Sequence, residues 1–270
     1  MHTAALLHRF ADYLRAADVS PTTLRLRLHY LDRLAEHLEA DGLDLPSATP
    51  GALVAFLARP GWSPETRKSA RATVRRFYGW ALDEGVVDVD PARRLPAVRV
   101  PRAVPRPTPL KVFAEALLRA GPRGRRALLL ARYAGLRRAE VAALHTDDVV
   151  ETPIGPAVRV VGKGRRVRVV PLHPRLAEAL AGLPRGYVFP STRTPAGHLS
   201  PDALGSLVGD LLGPGWTMHT LRHRAAGDWY AVDRDLRAVQ ELLGHASVAT
   251  TQRYTPADDD AMWRAVRGVA

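Results

Sequence analysis

Hydrophobic residues in the first third of the chain recur every three or four positions, which is the spacing of amphipathic helices. Four such segments lie between residues 1 and 94. Three of them follow a Ser-Pro or Thr-Pro pair, at Ser20, Thr49 and Ser63. These pairs combine an N-cap side chain with a proline at the first helical position. The pattern predicts a small N-terminal domain of four helices.

The pattern changes in the second part of the chain. Two valine-rich runs, 157–161 and 166–170, flank the turn Gly162-Lys163-Gly164-Arg165, and this is typical of a β-hairpin with Lys163 at its tip. Helices are expected at 110–119, at 124–135, from Arg137, at 174–183, from Ser200 and through 219–243, with a short strand at 187–189. Gly244 suits the C-terminal cap of the helix that ends at Leu243. The predicted fold class is mainly α with a small β-hairpin or sheet.

The two parts are joined by a proline-rich stretch. Residues 95–109 hold five prolines and three arginines. Proline at this density interrupts helices and strands and favours an extended, fairly stiff connector. The predicted organisation is therefore a helical domain at 1–94, a linker at 95–109 and a mixed domain at 110–270.

The charge of the chain favours a polyanionic partner. Lysine and arginine number 39 against 27 acidic residues, for a net charge of +12. Biased codon usage also enriches arginine, and lysine occurs only three times, but such a bias need not unbalance arginine against the acids. The candidate DNA contacts are Lys68, Arg71 and Arg75 on one helix, Arg102 and Arg106 in the linker, and Arg165 in the hairpin turn. A solvated basic surface is the alternative.

Composition also excludes several classes of protein. There is no cysteine, so that disulfides, thiolate zinc sites and cysteine nucleophiles are absent. No apolar run approaches the roughly 18 residues that a membrane helix needs. The N-terminus carries Asp12 and Asp18 and lacks the long apolar core of a secretory signal. We expect a cytoplasmic protein with no membrane partner.

Several polar residues are suited to chemistry at a phosphate. They are Arg137, Lys163, His219, Arg222, His245 and Tyr254. His219 and Arg222 share one helix face at i, i+3. A guanidinium binds phosphate oxygens in a two-point fork, and a tyrosine can act as nucleophile where cations or a base assist it. Because no Asp/Glu cluster indicates a magnesium pair, we expect no metal and no cofactor.

Each of these residues also has an ordinary interpretation. Arginines and a hairpin lysine are commonly solvated, and Tyr254 alone would more often be a packed aromatic ring. His219 and His223, at i, i+4, are spaced like two zinc ligands. However, Thr220 stands where the HExxH motif has glutamate, and no third ligand is evident. Only the combination of the residues is specific.

Four motifs carry a resemblance to the tyrosine recombinase or phage integrase family, which includes the Xer recombinases. They are GLRRAE at 135–140, GKGRRVRVVPL at 162–172, HTLRH at 219–223 and LGHASVATTQRYT at 243–255. In order and spacing they resemble the family's Arg, Lys, His-x-x-Arg, His and Tyr boxes. The helical domain is similar to a core-binding domain and 110–270 to the catalytic domain, with no arm-binding domain ahead of them.

The resemblance implies a set of roles. Tyr254 would attack a DNA phosphodiester to form a 3′-phosphotyrosyl link and free a 5′-hydroxyl. Arg137 and Arg222 would bind the scissile phosphate, and Lys163 would protonate the leaving oxygen. His219 would act as base, His245 would hydrogen-bond the phosphate, and Glu140 would brace the site. Where the family often has a glycine in a turn, this chain has Asp233, which tolerates left-handed backbone better than most residues.

The resemblance also implies partners. The substrate would be double-stranded DNA with an inverted-repeat core site, recombined through a Holliday junction by a homotetramer on the nucleoid. A C-terminal helix carrying Met262, Trp263 and Val266 would dock on a neighbouring protomer. A directionality factor is a possible further partner. Two other functions stay open: a non-catalytic DNA-binding protein on the same scaffold, and a type IB topoisomerase.

Overall fold

The computed structural model describes residues 3–101, 104–162 and 166–244, with the backbone alone at Asp233. The chain divides into two compact units, Met1–Ala103 and Val104–Ala270. Helices dominate both, and the second unit adds a three-stranded antiparallel sheet. The predicted fold class is confirmed.

The first unit has four helices between residues 3 and 101, as the sequence predicts. They are α1 (Thr3–Ala16), α2 (Pro21–Glu39), α3 (Pro50–Leu57) and α4 (Pro64–Asp83). The side-chain oxygens of Ser20, Thr49 and Ser63 each accept a hydrogen bond from a backbone N–H three residues later. A proline follows each cap, so that local sequence alone sets where three of the helices begin.

The core of the first unit is rich in aromatic rings. Phe10 of α1 meets Phe77 of α4 edge to face, with ring centroids 5.3 Å apart, and Trp80 lies 5.2 Å from Phe10. The buried Tyr78 donates its hydroxyl proton to the carbonyl of Leu45 at 2.9 Å. Burial raises the pKa of Tyr78, so that this phenol stays protonated. These contacts fix α4 against α1 and leave the opposite face of α4 to solvent.

The second unit has seven helices and three strands among its described residues. They are α5 (Leu110–Arg119), α6 (Pro122–Tyr133), α7 (Arg138–Ala142), β1 (Val149–Thr152), β2 (Gly155–Val161), β3 (Val167–Pro171), α8 (Pro174–Leu180), α9 (Pro201–Leu212), α10 (Met218–Asp233) and α11 (Leu236–Leu243). The predicted hairpin is confirmed as β2–β3, in the register that pairs Val161 with Val167.

Two sequence expectations about strands need correction. Strand β1 was not expected from the sequence; it pairs with β2 and places Val149 opposite Val158. The strand predicted at 187–189 is wrong, because Tyr187 forms only an isolated bridge with His145. The bridge at Tyr187 depends on a contact with a segment far away in the chain, which local patterns do not report. In contrast, β1 is a strand of only four residues that a tight turn joins to β2.

The core of the second unit surrounds α6. Its last turns are buried on all sides, and Leu128, Leu129 and Leu130 are at most 1% exposed. These residues belong to one hydrophobic cluster that also contains Val158 and Val170 of the sheet and Leu221 of α10. Leu221 therefore anchors the start of α10 in the core, and Arg222 is the next residue in the chain.

The turn between α10 and α11 also departs from expectation. The left-handed position is Arg234, with φ +56°, and not Asp233, which still belongs to α10. The guanidinium of Arg234 lies over the ring of Tyr230, 5.6 Å from its centroid. Left-handed backbone costs a residue with a Cβ about 1 kcal/mol, which the contact with Tyr230 helps to offset.

No helix within the described ranges is both long enough and apolar enough to cross a membrane.

Candidate active site

A buried carboxylate lies at the centre of the candidate site. Glu140, on the first turn of α7, has a side chain that is only 5% exposed. Its carboxylate accepts hydrogen bonds from the backbone N–H and the guanidinium of Arg137, both at 2.8 Å. It also accepts two bonds from Arg168 of β3, at 3.0 and 2.8 Å. One carboxylate thereby orients two guanidiniums.

The protonation state of Glu140 follows from these contacts. Burial alone would raise the pKa of its carboxyl group. The hydrogen bonds from Arg168 and from the backbone of Arg137, together with the charge of Arg168, more than offset burial and hold the pKa below its ordinary value. Glu140 is therefore ionised at neutral pH and can brace Arg137, as the resemblance implies.

Three arginines converge on the C-terminal end of α11. Arg168 donates to the carbonyl oxygen of Leu242 at 2.9 Å, Arg222 to that of Leu243 at 2.6 Å, and Arg137 to that of Gly244 at 3.3 Å. The last carbonyls of a helix lack partners within the helix and carry partial negative charge. Three consecutive peptide units thus position three cations drawn from three separate elements.

Two glycines permit this close packing. Gly135 has φ +58°, and a Cβ at that position would lie 2.7 Å from the ring of Trp229. Gly244 has φ +62°, and a Cβ there would lie 3.0 Å from Arg168. Only glycine combines the left-handed backbone with these approaches.

Arg222 is buried, with 2% of its surface exposed. Its guanidinium donates to the carbonyl oxygens of Gly135, which lies between α6 and α7, and of Leu243, the last residue of α11. Its side chain also lines a cavity of about 720 Å³ together with Arg137 and His219. Three of the predicted catalytic residues therefore border one concave surface, and two of them are cations.

The imidazole rings of His219 and His223 form a pair on α10. Their Nε2 atoms are 2.9 Å apart, and the ring centroids are separated by 4.2 Å. Partial burial lowers the pKa of His219, and the positive charges of Arg222 and Arg137 lower it further. Burial, His219 and Arg222 together lower the pKa of His223 to about 4. Both rings are therefore neutral at pH 7.

The remaining catalytic predictions lie outside the described residues. These are Lys163, His245 and Tyr254, together with the linker residue Arg102, the hairpin residue Arg165 and the C-terminal residues Met262, Trp263 and Val266. Two of the predicted catalytic residues directly follow described residues in the chain. Lys163 follows the end of β2 directly after Gly162, and His245 follows the arginine-bonded carbonyl of Gly244.

The predicted DNA contacts have different surroundings. Lys68 and Arg75 are exposed on α4. Arg71 is half-buried and donates two hydrogen bonds to the carbonyl oxygen of Leu95, at 2.8 and 3.3 Å. Arg106 is exposed and its guanidinium stacks over the ring of Trp216, 4.6 Å from the centroid. Arg71 and Arg106 thus support their own units, whereas Lys68 and Arg75 have the exposure that a phosphate contact needs.

Sequence reasoning missed Arg168. It is one of four basic residues between positions 163 and 168, and position alone marks none of them as buried. Inward-facing and outward-facing side chains alternate along β3, and this alternation is the signal that could have identified Arg168. Val170 points into the core, and Arg168, two positions earlier, shares its face. An arginine on the inward face of a strand requires a buried acid, and Glu140 is that acid.

The two histidines have the spacing of metal ligands, but their surroundings differ from those of a metal site. Within 3–101, 104–162 and 166–244, no group of three or more His, Cys, Asp or Glu residues is placed to hold a metal ion. The two Nε2 atoms face each other at hydrogen-bonding distance, and Nδ1 of His223 accepts the backbone N–H of Arg106 at 3.3 Å.

Two family models match the chain. The phage integrase family matches residues 113–261, and the phage integrase N-terminal SAM-like domain matches residues 7–85. The matched regions fall one in each compact unit.

Individual tyrosine recombinases are also similar to this chain. Tyrosine recombinase XerC of Rhodospirillum centenum is 36% identical over 260 residues, which cover 85% of this chain and 74% of that protein. Tyrosine recombinase XerC of Chromohalobacter salexigens is 33% identical over 288 residues, covering 96% of this chain and 92% of the relative. The structure of XerH site-specific recombinase bound to palindromic difH substrate, a post-cleavage complex, has a TM-score of 0.73 at 20% identity, with 97% of this chain and 83% of that chain covered. At that identity the last comparison shows the fold alone.

Proposed function

Because the chain belongs to the phage integrase family of tyrosine recombinases, we propose that Tyr254 is the nucleophile with which it opens DNA. The protein is a site-specific DNA recombinase that works through a covalent DNA intermediate. The assignment of particular atoms to that reaction rests on the residues that border the cavity on α7 and α10.

One observation carries the proposal: Arg137 and Arg222 are held on adjacent carbonyls, those of Gly244 and Leu243, and both line one cavity. Two guanidiniums fixed side by side match the non-bridging oxygens of one phosphodiester. Because their positions are set before substrate arrives, they stabilise charge that develops on the phosphate without reorganising. This is what phosphoryl transfer requires of a protein.

One bond to phosphorus forms and one breaks in this reaction. The phenolic oxygen of Tyr254 attacks phosphorus, the bond from phosphorus to the 5′ oxygen breaks, and a 3′-phosphotyrosyl link remains. Lys163 supplies a proton to the leaving 5′ oxygen, and His219 accepts the phenol's proton. His245 hydrogen-bonds the phosphate. Attack by a 5′-hydroxyl from another strand reverses each transfer, so that rejoining needs no external energy source.

The DNA partner is proposed to be a duplex with an inverted-repeat core site. The charge of +12 and the exposed Lys68 and Arg75 on α4 support contact of the first unit with phosphates. In this proposal the domain at 1–94 binds the core site, the linker at 95–109 connects the two domains, and the domain at 110–270 carries out the reaction. Four copies would assemble on two sites and exchange strands through a Holliday junction on the nucleoid. Residues Met262, Trp263 and Val266 would join neighbouring copies, and a directionality factor would bias the outcome.

The test is covalent trapping on a nicked suicide substrate that carries the cognate site. Wild type and Tyr187→Phe, which removes a half-exposed phenol elsewhere in the second unit, should both form a DNA adduct that survives denaturing electrophoresis. Tyr254→Phe should form none. An adduct from Tyr254→Phe would show that another residue is the nucleophile.

Two further assays, a mobility shift and relaxation of a supercoiled plasmid, separate the other two functions. A non-catalytic DNA-binding protein would retain the substrate in a mobility shift but yield no adduct with any variant. A type IB topoisomerase would relax a supercoiled plasmid that lacks any particular site. A strict requirement for paired sites identifies recombination.

A further inference from the structure

Arg106 and Thr108, which belong to the predicted linker, contact α10 within the second unit. The backbone N–H of Thr108 donates to the carbonyl oxygen of Thr220 at 3.1 Å, and the two threonine hydroxyls are 2.7 Å apart. Thr108 is fully buried. Two residues earlier, the guanidinium of Arg106 stacks on Trp216. These contacts hold the peptide N–H of Arg106 at a fixed place beside α10.

That N–H determines the proton positions of the histidine pair. It donates to Nδ1 of His223 at 3.3 Å, so Nδ1 carries no proton. A neutral His223 then has its proton on Nε2, which lies 2.9 Å from Nε2 of His219. Nε2 of His219 must accept that hydrogen bond, and a neutral His219 therefore has its proton on Nδ1.

We propose that His223 is a positioning residue for the reaction: anchored by the backbone N–H of Arg106, it holds His219 in one orientation and in the Nδ1–H tautomer. Nδ1–H of His219 is then the donor that the ring offers to its surroundings, and its lone pair on Nε2 is engaged. This inference rests on the proposed assignment of His219 as base. Under that assignment, His219 accepts the phenol's proton only after its bond to His223 is exchanged.

The charges around the pair favour this arrangement. Arg222 and Arg137 act on His219, and Arg222 acts on His223, so that positive charge disfavours protonation of either ring. With a pKa of about 4, His223 is neutral at pH 7 and keeps Nδ1 open to the N–H of Arg106. A neutral imidazole in which one nitrogen must accept a hydrogen bond has a single tautomer. The backbone N–H of Arg106 therefore sets the tautomer of His223, and His223 in turn sets that of His219.

The direct test is the tautomer of His219 in the DNA-free protein, read from imidazole ¹⁵N shifts in two-bond ¹⁵N–¹H correlation spectra. The His219→Asn variant identifies the His219 signals among the ten histidines. The expected spectrum at pH 7 has a protonated Nδ1 and an unprotonated Nε2. His223→Phe should shift both signals toward the Nε2–H form that free imidazole prefers. His223→Gln, whose amide both accepts and donates, should restore the wild-type pattern.

A second pair of variants tests the anchor. Arg106→Pro removes the backbone N–H, and Pro107 already favours extended backbone at Arg106, a region that proline also adopts. Arg106→Ala keeps the N–H and removes only the stack on Trp216. Arg106→Pro should shift the His219 signals as His223→Phe does, and Arg106→Ala should not.

Cleavage supplies the functional readout. Single-turnover adduct formation should fall roughly tenfold in His223→Phe, less than the loss of a whole proton-transfer group, and His223→Gln should recover it. Unchanged His219 signals in His223→Phe would overturn the proposal, as would an unchanged adduct rate in that variant. Because the tautomer is measured without DNA, its outcome does not depend on whether Tyr254 is the nucleophile. Far-ultraviolet circular dichroism confirms that each variant is folded.

Discussion

The carboxylate of Glu140 and the guanidinium of Arg168 meet through two hydrogen bonds, of 3.0 and 2.8 Å, with both side chains largely buried. The Nε–H of Arg168 donates to the carbonyl oxygen of Leu242 at the end of α11. Arg168 therefore joins β3, α7 and α11. The bridge sets where Arg137 points and where the chain leaves α11 toward His245.

Replacing Arg168 with methionine is expected to destabilise the second unit by about 2 kcal/mol, because it leaves a buried carboxylate with only one cationic partner. The matched control is Arg159→Met on the adjacent strand, whose pair with Asp148 is 3.4 Å long and half-exposed. Such pairs contribute little, and this change should cost less than about 1 kcal/mol. Urea denaturation followed by circular dichroism measures both. Equal losses of stability in the two variants would show that the pair of Arg168 with Glu140 contributes no more than an exposed pair.

Acid should weaken this bridge with a predictable sign. The folded pKa of Glu140 lies below its ordinary value of 4.5, so its contribution to stability is fully present above that value. The contribution is lost as pH falls through the lowered folded pKa. Glu140→Gln should therefore reduce stability by about 3 kcal/mol at pH 7 and flatten the pH dependence of stability below pH 4.5. Denaturation midpoints from pH 7 to pH 3 provide the measurement. A variant whose midpoint falls in parallel with wild type below pH 4.5 would contradict it.

Helix positions were predictable wherever one short signal sufficed. Ser20, Thr49, Ser63 and Ser200 each precede a proline, and each accepts the capping hydrogen bond that the pair predicts. Gly244 occupies the left-handed cap after α11 as expected. These features depend on residues three or four apart, and for that reason the sequence alone specifies them.

Features set by distant contacts were not predictable in the same way. Arg168 requires Glu140, 28 positions away, and Nδ1 of His223 is engaged by a backbone group 117 positions away. Arg71 could be assigned to a basic strip, but its bonds to the carbonyl of Leu95 depend on how the chain returns after α4. The motifs located Arg137, His219 and Arg222, whereas the contacts that orient them become visible only in the folded chain.

Gly135 should be among the least replaceable residues of the site. Gly135→Ala imposes left-handed backbone on a residue with a Cβ and drives that Cβ to 2.7 Å from Trp229, for an expected loss of about 3 kcal/mol. Gly182→Ala is the control, because φ is +69° there and nothing lies within 4 Å of the added Cβ. It should cost about 1 kcal/mol. Thermal melts compare the two. Cleavage should fall further in Gly135→Ala, since the carbonyl of Gly135 accepts a hydrogen bond from Arg222. Equal melting temperatures for Gly135→Ala and Gly182→Ala would mean that the ring of Trp229 moves away from the added Cβ at little cost.

The histidine pair should produce a second pH window, separate from that of Glu140. The pKa of His223 falls from 6.5 to about 4 on folding, so the unfolded chain binds its proton first as pH decreases. Stability should therefore be complete above pH 6.5 and decline toward pH 4. Between pH 7 and pH 5 the loss should be about 1 kcal/mol, which is about half of what the full pKa difference gives, because solvent screens this half-buried ring. His223→Gln has no titrating group and should remove most of this decline while leaving the loss below pH 4.5 that comes from Glu140. Urea midpoints at half-unit intervals resolve the two windows. If His223→Gln keeps the full decline between pH 6.5 and pH 5, the ring of His223 is not shielded from protons in the folded protein, and its hydrogen bond to His219 does not persist in solution.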